Sequence, residues 1–294
     1  IITKRIEDFN SLETTKSTEL AINEYESLKY LFTNWTNDYD VHFVKPLCFI
    51  EDKNIIITDR IRGSFLFKDL RKISRKRNSP QNALINFGKS LAHFHKLSEE
   101  EATFETSYVF RKFNLYLNDL KRFSVSDKDL NIIKSFIKEH EQYKSSTQKV
   151  YNLKGIDIRQ LLYKDNKIFV IDPGKISKGY VEIDLARFMV TMKIINWGSY
   201  KLIFKIIFGY QDKINEDNFL NGYSSLKNYS SLSLRFMITK EILKHWKMAH
   251  ESLQLRKIPS LIKLFIKKFY VDYFYMNLFK QEILLIQSEL KPKN

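Results

Sequence analysis

Two short apolar strands around a tight turn lie near the middle of the chain, and they constrain its fold most. Gln160–Tyr163 and Lys167–Ile171 flank the turn Lys164-Asp165-Asn166, a pattern that predicts a β-hairpin. From Ile183 onward the sequence predicts long helices. A hairpin set between helical stretches is not the strand–helix alternation of a doubly wound parallel sheet, so that class is excluded.

The N-terminal part of the chain is mixed. Ile1–Ile6 predicts a short strand, and Thr18–Phe32 predicts a helix because Leu20, Glu24, Leu28 and Leu31 recur there at three- and four-residue spacing. Val44–Ile50 and Asn54–Thr58 predict two strands around the turn Glu51–Lys53. Further helices are predicted over Ser64–Ile73, Gln81–Leu97 and Asp127–Tyr143. The order indicates an α+β fold with a small β-rich part followed by a large helical part.

Composition excludes disorder and bounds the partners. The 294 residues are 44% hydrophobic and 28% charged, which is typical of a globular protein. Lys and Arg number 49 against 34 Asp and Glu, so the net charge is +15. Such an excess favours an anionic partner, either a nucleotide, a nucleic acid or a membrane surface, and codon bias in an AT-rich genome is the alternative source.

Cys48 is the single cysteine, which excludes an intramolecular disulfide and a Cys-rich zinc site. No signal peptide is visible where Ile1-Ile2 runs into Thr3-Lys4-Arg5, and no apolar run reaches the ~18 residues of a membrane-spanning helix. We therefore expect a cytoplasmic protein, with peripheral attachment to the inner face of a membrane as a further expectation.

One carboxylate follows the hairpin directly. In Ile171-Asp172-Pro173-Gly174, Asp172 ends an apolar strand before a glycine turn, where it could hold a metal ion. The alternative is a plain turn, because Asp-Pro-Gly is good turn chemistry.

The flanking residues favour the metal site. Gly155-Ile156-Asp157-Ile158-Arg159-Gln160-Leu161-Leu162 precedes the hairpin, and Asp184-Leu185-Ala186-Arg187 follows it. In this order and spacing the chain resembles the protein-kinase-like superfamily, in particular its aminoglycoside and small-molecule phosphotransferase branch. The resemblance implies a two-lobe fold, with an N-lobe over 1–63, a hinge near 58–63, and a helical C-lobe over 64–294 that contains the catalytic loop and metal hairpin, 151–174.

The resemblance also implies nucleotide-binding residues. Lys4 is similar to the phosphate-contacting lysine of the third strand, and Glu24 to its helix partner, with Glu26 as a competitor. Thr58, Asp59 and Ile61 fall in the segment whose backbone would face an adenine. The helix Phe87–His95 is similar to another motif of the branch, and we expect His95 to be structural and hydrogen-bonded.

The catalytic loop departs from the family pattern. If Gln160 replaces the metal-binding Asn, Gly155 stands where the catalytic Asp belongs and Leu153 replaces the usual His. Asp157 is the nearest carboxylate and the candidate base, with a structural loop acid as the alternative. Asp172 and Gln160 would then bind Mg²⁺.

The resemblance implies ATP- and Mg²⁺-dependent phosphoryl transfer to a hydroxyl of a sugar, glycan or other small molecule. The glycine-rich phosphate loop has no counterpart after Ile1, and one expectation is that it lies before this residue. Its absence and Gly155 favour the alternative, a catalytically silent kinase-like module. A basic RNA-associated protein is a third hypothesis, carried by charge alone and less favoured.

Two basic segments complete the pattern. Arg71–Arg77 is either a solvated run or a site for an acidic lipid headgroup, an anionic glycan or RNA. Ile258–Leu285 mixes Phe, Tyr, Ile and Leu with lysines, so it is either a packed helix or an interfacial one. Together they predict an acceptor that is anionic or associated with an anionic membrane surface.

Overall fold

The computed structural model describes residues 2–5, 14–36, 38–71, 79–153, 155–194 and 213–291, with backbone alone at 2–5, 14–17, 71, 79–80 and 213–214. The chain divides into two compact units, the first formed by Ile1–Glu100 with Lys149–Asn228 and the second by Glu101–Gln148 with Tyr229–Asn294. This division by contacts does not follow the predicted lobe boundary at residue 63, so the lobes stay a prediction. Within the described ranges, no helix is both long and apolar enough to span a membrane.

The first unit contains most of the strands. They are β1 (Ile2–Arg5), β2 (Val41–Phe43), β3 (Pro46–Ile50), β4 (Ile55–Thr58), β5 (Ser64–Phe65), β8 (Leu161–Lys164), β9 (Lys167–Val170) and β10 (Ile176–Tyr180). Its helices are α1 (Thr14–Asn34), α2 (Leu66–Arg71), α3 (Ser79–Lys96), α6 (Glu182–Ile194) and α7 (Lys213–Ser224). The chain passes to the second unit along β6 (Glu100–Glu105) and returns along β7 (Lys144–Leu153).

The strands form three small sheets, of order β1-β4-β3, β2-β9-β8-β5 and β10-β7-β6. The predicted hairpin is β8 with β9, and it registers Leu161 opposite Val170. Its turn residues, Asp165 and Asn166, take positive φ values of 50° and 63°, which Asp and Asn tolerate better than most residues. Strand β2 adds to the hairpin in parallel, with Phe43 opposite Val170.

One predicted helix begins differently. The sequence pattern predicts a helix over Ser64–Ile73, whereas Ser64 and Phe65 pair with Tyr163 and Leu162 as strand β5. The helix starts only at Leu66, because the open edge of the hairpin captures the preceding backbone.

Aromatic and aliphatic side chains fill the core of the first unit. Phe188 packs between Phe87 and Phe219, with ring centroids 4.8 and 4.5 Å apart. Helices α3 and α7 approach so closely that a Cβ on Gly222 would lie 2.1 Å from the Ile85 carbonyl oxygen. Glycine at this crossing is therefore required by packing, and it fixes α7 against α3.

The second unit is helical, with α4 (Thr106–Arg122), α5 (Asp127–His140), α8 (Ser231–Leu255), α9 (Ser260–Ile266), a π-helical turn (Lys267–Asp272) and α10 (Tyr273–Leu290). Phe113, Phe136, Phe236 and Phe279 meet in its core and are 2% exposed or less. Helix α10 therefore packs as expected for the C-terminal segment. Helix α9 in the same segment has no buried residue.

Candidate active site

The hairpin brings the two predicted metal ligands to the same end of two neighbouring strands. Gln160 precedes β8, and its carbonyl oxygen accepts a hydrogen bond from the Ile171 amide at 3.1 Å. Asp172 is the next residue after Ile171 and is half-buried. Asp172 thus follows one strand where Gln160 precedes its neighbour, and both side chains carry the oxygen donors that Mg²⁺ prefers.

The number of candidate ligands is small. In the described residues, no group of three or more His, Cys, Asp or Glu side chains is arranged to hold a metal ion. The Gln160 Oε1 already accepts the Asp157 amide at 2.9 Å, which leaves one lone pair for another partner. A Mg²⁺ ion here would need nucleotide phosphates and water to complete its coordination, as is common for this ion.

Gly155, at the position where the resemblance expects the catalytic Asp, packs directly on the turn at 172–174. Its amide donates to the Pro173 carbonyl at 3.0 Å. A Cβ at this position would lie 2.6 Å from the Gly174 nitrogen and 2.8 Å from the Gly174 Cα. Gly174 itself has a φ of 65°, so the turn backbone has little freedom to move away. Position 155 therefore has no room for any side chain.

Asp157 is held by local contacts. It begins the short 3₁₀-helix Ile158–Gln160, and its carboxylate accepts the Arg159 amide at 2.6 Å. The same carboxylate forms an ion pair with the Arg159 guanidinium at 2.6 Å, and 12% of its side chain is exposed. These contacts are those of a structural loop acid, so they argue against Asp157 as the base. The base assignment stays a prediction.

Helix α1 contacts the chain just beyond the metal turn. The Ile176 amide donates to Ser27 Oγ at 3.1 Å, and Ser27 is buried. Glu24 lies three residues before Ser27, on the same face of the helix. This is the face expected of a glutamate that orients a phosphate-binding lysine. Lys4 pairs with Ile56 through the backbone, and its side chain lies outside the description, so the Lys4–Glu24 pair stays a prediction.

The predicted adenine-binding segment is tied to the hairpin. Thr58 ends β4, and 59–63 is neither helix nor strand. The Asp59 amide donates to the Lys45 carbonyl at 2.9 Å, while the neighbouring Val44 amide donates to the Val170 carbonyl at 3.2 Å. The Asp59 amide thus already has a partner within the chain. The Asp59 carbonyl and the backbone of Ile61 are then the groups that could bind the adenine of a nucleotide.

A buried hydrogen-bond network holds the backbone of Leu153, just before the predicted catalytic loop residue Gly155. Asp184 is fully buried and accepts the Leu153 amide at 2.8 Å through Oδ2. His95 Nε2 lies 3.2 Å from the same oxygen, and its Nδ1 lies 2.8 Å from the Tyr223 hydroxyl. Burial lowers the pKa of His95, although Asp184 raises it in part. His95 is thus buried and hydrogen-bonded, as expected of a structural histidine. No sequence pattern indicated its connection to Leu153 through Asp184.

Arg187 completes this network. Its guanidinium donates to the Leu153 carbonyl at 3.3 Å, so the segment Asp184–Arg187 holds both backbone groups of residue 153. The motif Asp-Leu-Ala-Arg therefore positions the loop that contains Gly155. This role requires the carboxylate and the guanidinium to lie one helical turn apart, as they do on α6.

Searches for relatives separate sequence from fold. No family model matches the chain, and no curated protein matches its sequence. Among solved structures, a glucosamine kinase superposes with a TM-score of 0.51 at 10% identity, covering 81% of this chain and 64% of its own. The chain thus spans less than two thirds of that protein.

Two further solved structures are covered more completely. The choline kinase of Streptococcus pneumoniae superposes with a TM-score of 0.50 at 10% identity and covers 98% of this chain and 94% of its own. The Plasmodium vivax ethanolamine kinase gives 0.50 at 11% identity, over 97% and 76%. All three are small-molecule kinases by name.

The chain therefore has an α+β protein-kinase-like fold, which confirms the fold predicted from the short motifs. Identity near 10% shows the fold and leaves the roles of single residues as predictions. The basic run Arg71–Arg77 lies outside the described residues beyond the backbone of Arg71.

Proposed function

We propose that the protein transfers a phosphoryl group from Mg²⁺-bound ATP to a hydroxyl of a small molecule. The observation that carries the proposal is the pairing of Gln160 with Ile171 beside Asp172, in a protein-kinase-like fold. The contact of α1 with Ile176 adds support, since it sets the Glu24 face of the helix beside the same turn. The carboxylate of Asp172 and the amide oxygen of Gln160 are donors that suit a hard cation bound to phosphates.

Each residue has a proposed role. Asp172 and Gln160 hold Mg²⁺, which neutralises charge on the transferred group. Lys4 contacts the phosphates and Glu24 orients it. The backbone of Thr58, Asp59 and Ile61 faces the adenine.

Catalysis without a strong base is consistent with this chemistry. Phosphoryl transfer is accelerated mainly by positioning and charge stabilisation, and a general base contributes about 10²- to 10⁴-fold. Because Asp157 is bound by Arg159, we expect turnover to be slow and not absent.

The acceptor is proposed from the fold relatives and from charge. The three solved structures are kinases of glucosamine, choline and ethanolamine by name, which supports a small acceptor with a free hydroxyl. A sugar or glycan acceptor belongs to this class. The net charge of +15 supports an anionic or membrane-associated acceptor, and a nucleic acid is less favoured.

A second function is supported by a specific observation. The close approach of Gly155 to Gly174, at the position where the resemblance expects the catalytic Asp, supports the loss of a catalytic carboxylate there. A catalytically silent module that binds nucleotide or a partner would tolerate this loss. Binding without turnover is its signature.

Two measurements on one preparation separate these functions. Thermal unfolding with ATP, with and without Mg²⁺, reports binding, and ADP release with glucosamine, choline or ethanolamine as acceptor reports transfer. Mg²⁺-dependent stabilisation with acceptor-dependent ADP release supports the kinase. Stabilisation with no release above that of Asp172→Asn supports the silent module, and no stabilisation by any nucleotide contradicts both.

A further inference from the structure

Helix α9 and its flanks leave large apolar side chains in solvent. Leu255 is 85% exposed, Leu261 78%, Phe265 63% and Phe269 64%. Ile262 and Leu264 are exposed as well, and none of the residues of α9 is buried. We call these six residues the α9 surface. Single exposed apolar residues are ordinary, but six within fifteen positions mark an interaction site.

Spacing unites part of the α9 surface. Leu261, Phe265 and Phe269 recur every four residues, so they follow one another along the helical segment. The rings of Phe265 and Phe269 lie 5.1 Å apart between centroids. The segment thus exposes Leu261 and the two neighbouring rings of Phe265 and Phe269 to solvent.

The helix projects from a fixed base. At the end of the π-helical turn, Asp272 Oδ1 accepts the Trp246 indole N–H at 2.8 Å and lies 2.7 Å from His250 Nε2. Both contacts are buried within the second unit. The exposure of α9 is therefore a property of a folded segment with an anchored C-terminal end.

The charged side chains in the stretch of sequence that contains α9 are all basic. The residues from 252 to 271 include no Asp or Glu, and they include five basic side chains: Arg256, Lys257, Lys263, Lys267 and Lys268. Lys263 and Lys267 donate to the backbone carbonyls of Gln254 and Ser124 at 2.9 and 3.1 Å. Arg256, Lys257 and Lys268 are exposed. Apolar side chains surrounded by cations match a surface that is anionic outside and apolar beneath.

The same pattern disfavours a second copy as occupant. A two-fold dimer would oppose this surface to itself, so the five cations of 252–271 would face the same five cations of the partner, and this stretch contains no Asp or Glu. An anionic bilayer removes this repulsion and buries the phenylalanines in the interface, where lysine stems extend toward the headgroups.

We propose that the α9 surface is a docking site for an anionic lipid bilayer, with Leu261, Phe265 and Phe269 inserted and Lys257 and Lys268 on the headgroups. The docking is independent of nucleotide binding and of turnover. It would hold the protein at a membrane surface.

Co-sedimentation with vesicles tests the proposal. We expect the full chain to bind vesicles of phosphatidylcholine with about 30% phosphatidylglycerol, whose surface is strongly negative. We expect no binding to vesicles of pure phosphatidylcholine. Phe265→Ser with Phe269→Ser should weaken binding at least about tenfold, because two apolar side chains no longer insert. Lys257→Gln with Lys268→Gln should weaken it about fivefold per charge and lower its salt dependence.

A matched variant controls for general hydrophobicity. Leu97→Ser with Leu115→Ser removes two side chains that are 53% and 54% exposed elsewhere, and it should leave vesicle binding unchanged. Thermal unfolding of every variant shows that the fold is retained. Equal binding by the phenylalanine variant, no binding by the native protein at low salt, or a dimer in solution that the phenylalanine variant dissociates would each overturn the proposal.

Discussion

Gly155 offers a sharp test of how the catalytic loop is packed. Replacing it with Ala adds one methyl group that would lie 2.6 Å from the Gly174 nitrogen and 2.8 Å from the Pro173 carbonyl carbon. Both atoms are backbone, so no side chain can rotate away. The turn at 172–174 or the loop at 155 must shift.

The magnitude follows from two losses. Overpacking of a fixed site costs about 1–3 kcal/mol. A shift that breaks the 3.0 Å hydrogen bond from Gly155 to Pro173 removes about 0.5–1.5 kcal/mol more. We expect Gly155→Ala to lower the free energy of unfolding by about 2–4 kcal/mol, and Gly155→Asp by at least as much.

Urea unfolding monitored by circular dichroism measures the effect. Gly63→Ala is a matched control, because its nearest contacts would be 3.0 Å or longer and a shift of a few tenths of an ångström relieves them. Gly155→Asp restores the family residue in sequence, yet we expect no gain in phosphoryl transfer. A Gly155→Asp protein that is as stable as the native one and turns over faster would refute this reasoning.

Three further predictions concern the surrounding residues. Asp157→Ala should lower the free energy of unfolding by about 1 kcal/mol through loss of the cap, whereas Asp157→Asn should lower it less. A large loss of turnover with unchanged stability would support the predicted role of Asp157 as the base. Burial lowers the pKa of His95, so below pH 6.5 the unfolded chain binds a proton at this residue that the folded chain does not. The free energy of unfolding should therefore fall as the pH drops below 6.5, by up to about 1.4 kcal/mol per pH unit. The fall should be less steep in His95→Gln. Lys4→Met and Glu24→Gln should each weaken nucleotide binding, and the double variant should be no weaker than Lys4→Met; additive effects would contradict the predicted pair.

Local sequence patterns predicted much of the fold. The hairpin at Leu161–Val170 follows from alternating apolar residues and an Asp-Asn turn, and both turn residues take the positive φ that this turn needs. Helix α1 follows from its leucine spacing, although it extends from Thr14 to Asn34 and not from Thr18 to Phe32. Helix ends depend on contacts that propensity does not include.

Long-range strands were missed for a physical reason. Strand β7 begins Lys-Ser-Ser-Thr-Gln-Lys, a polar run with no apolar alternation. It becomes a strand because it lies between two partners in its sheet, with β10 paired to Lys149–Leu153 and β6 on its other side. Strand β2 is likewise only Val41–Phe43 and depends on β9. Pairing partners distant in sequence decide such segments, so pattern alone does not find them.

The sequence placed Gln160 and Asp172 at the two ends of one hairpin, and the strand register brings their backbones close together. Their roles at a metal site stay predictions. Asp157 as a free base could not be tested by spacing, since its ion pair with Arg159 depends on side-chain direction. The contact between Gly155 and Gly174 likewise appears only when both turns are folded.

Calorimetric titration of the native chain and Asp172→Asn with ATP, each with and without Mg²⁺, tests the central claim most directly. The account predicts that Mg²⁺ strengthens ATP binding to the native chain at least about tenfold and has little effect on the variant, because Asp172 provides the carboxylate for the ion. Equal Mg²⁺-dependent affinity in both proteins would contradict the assignment of this turn as the metal site.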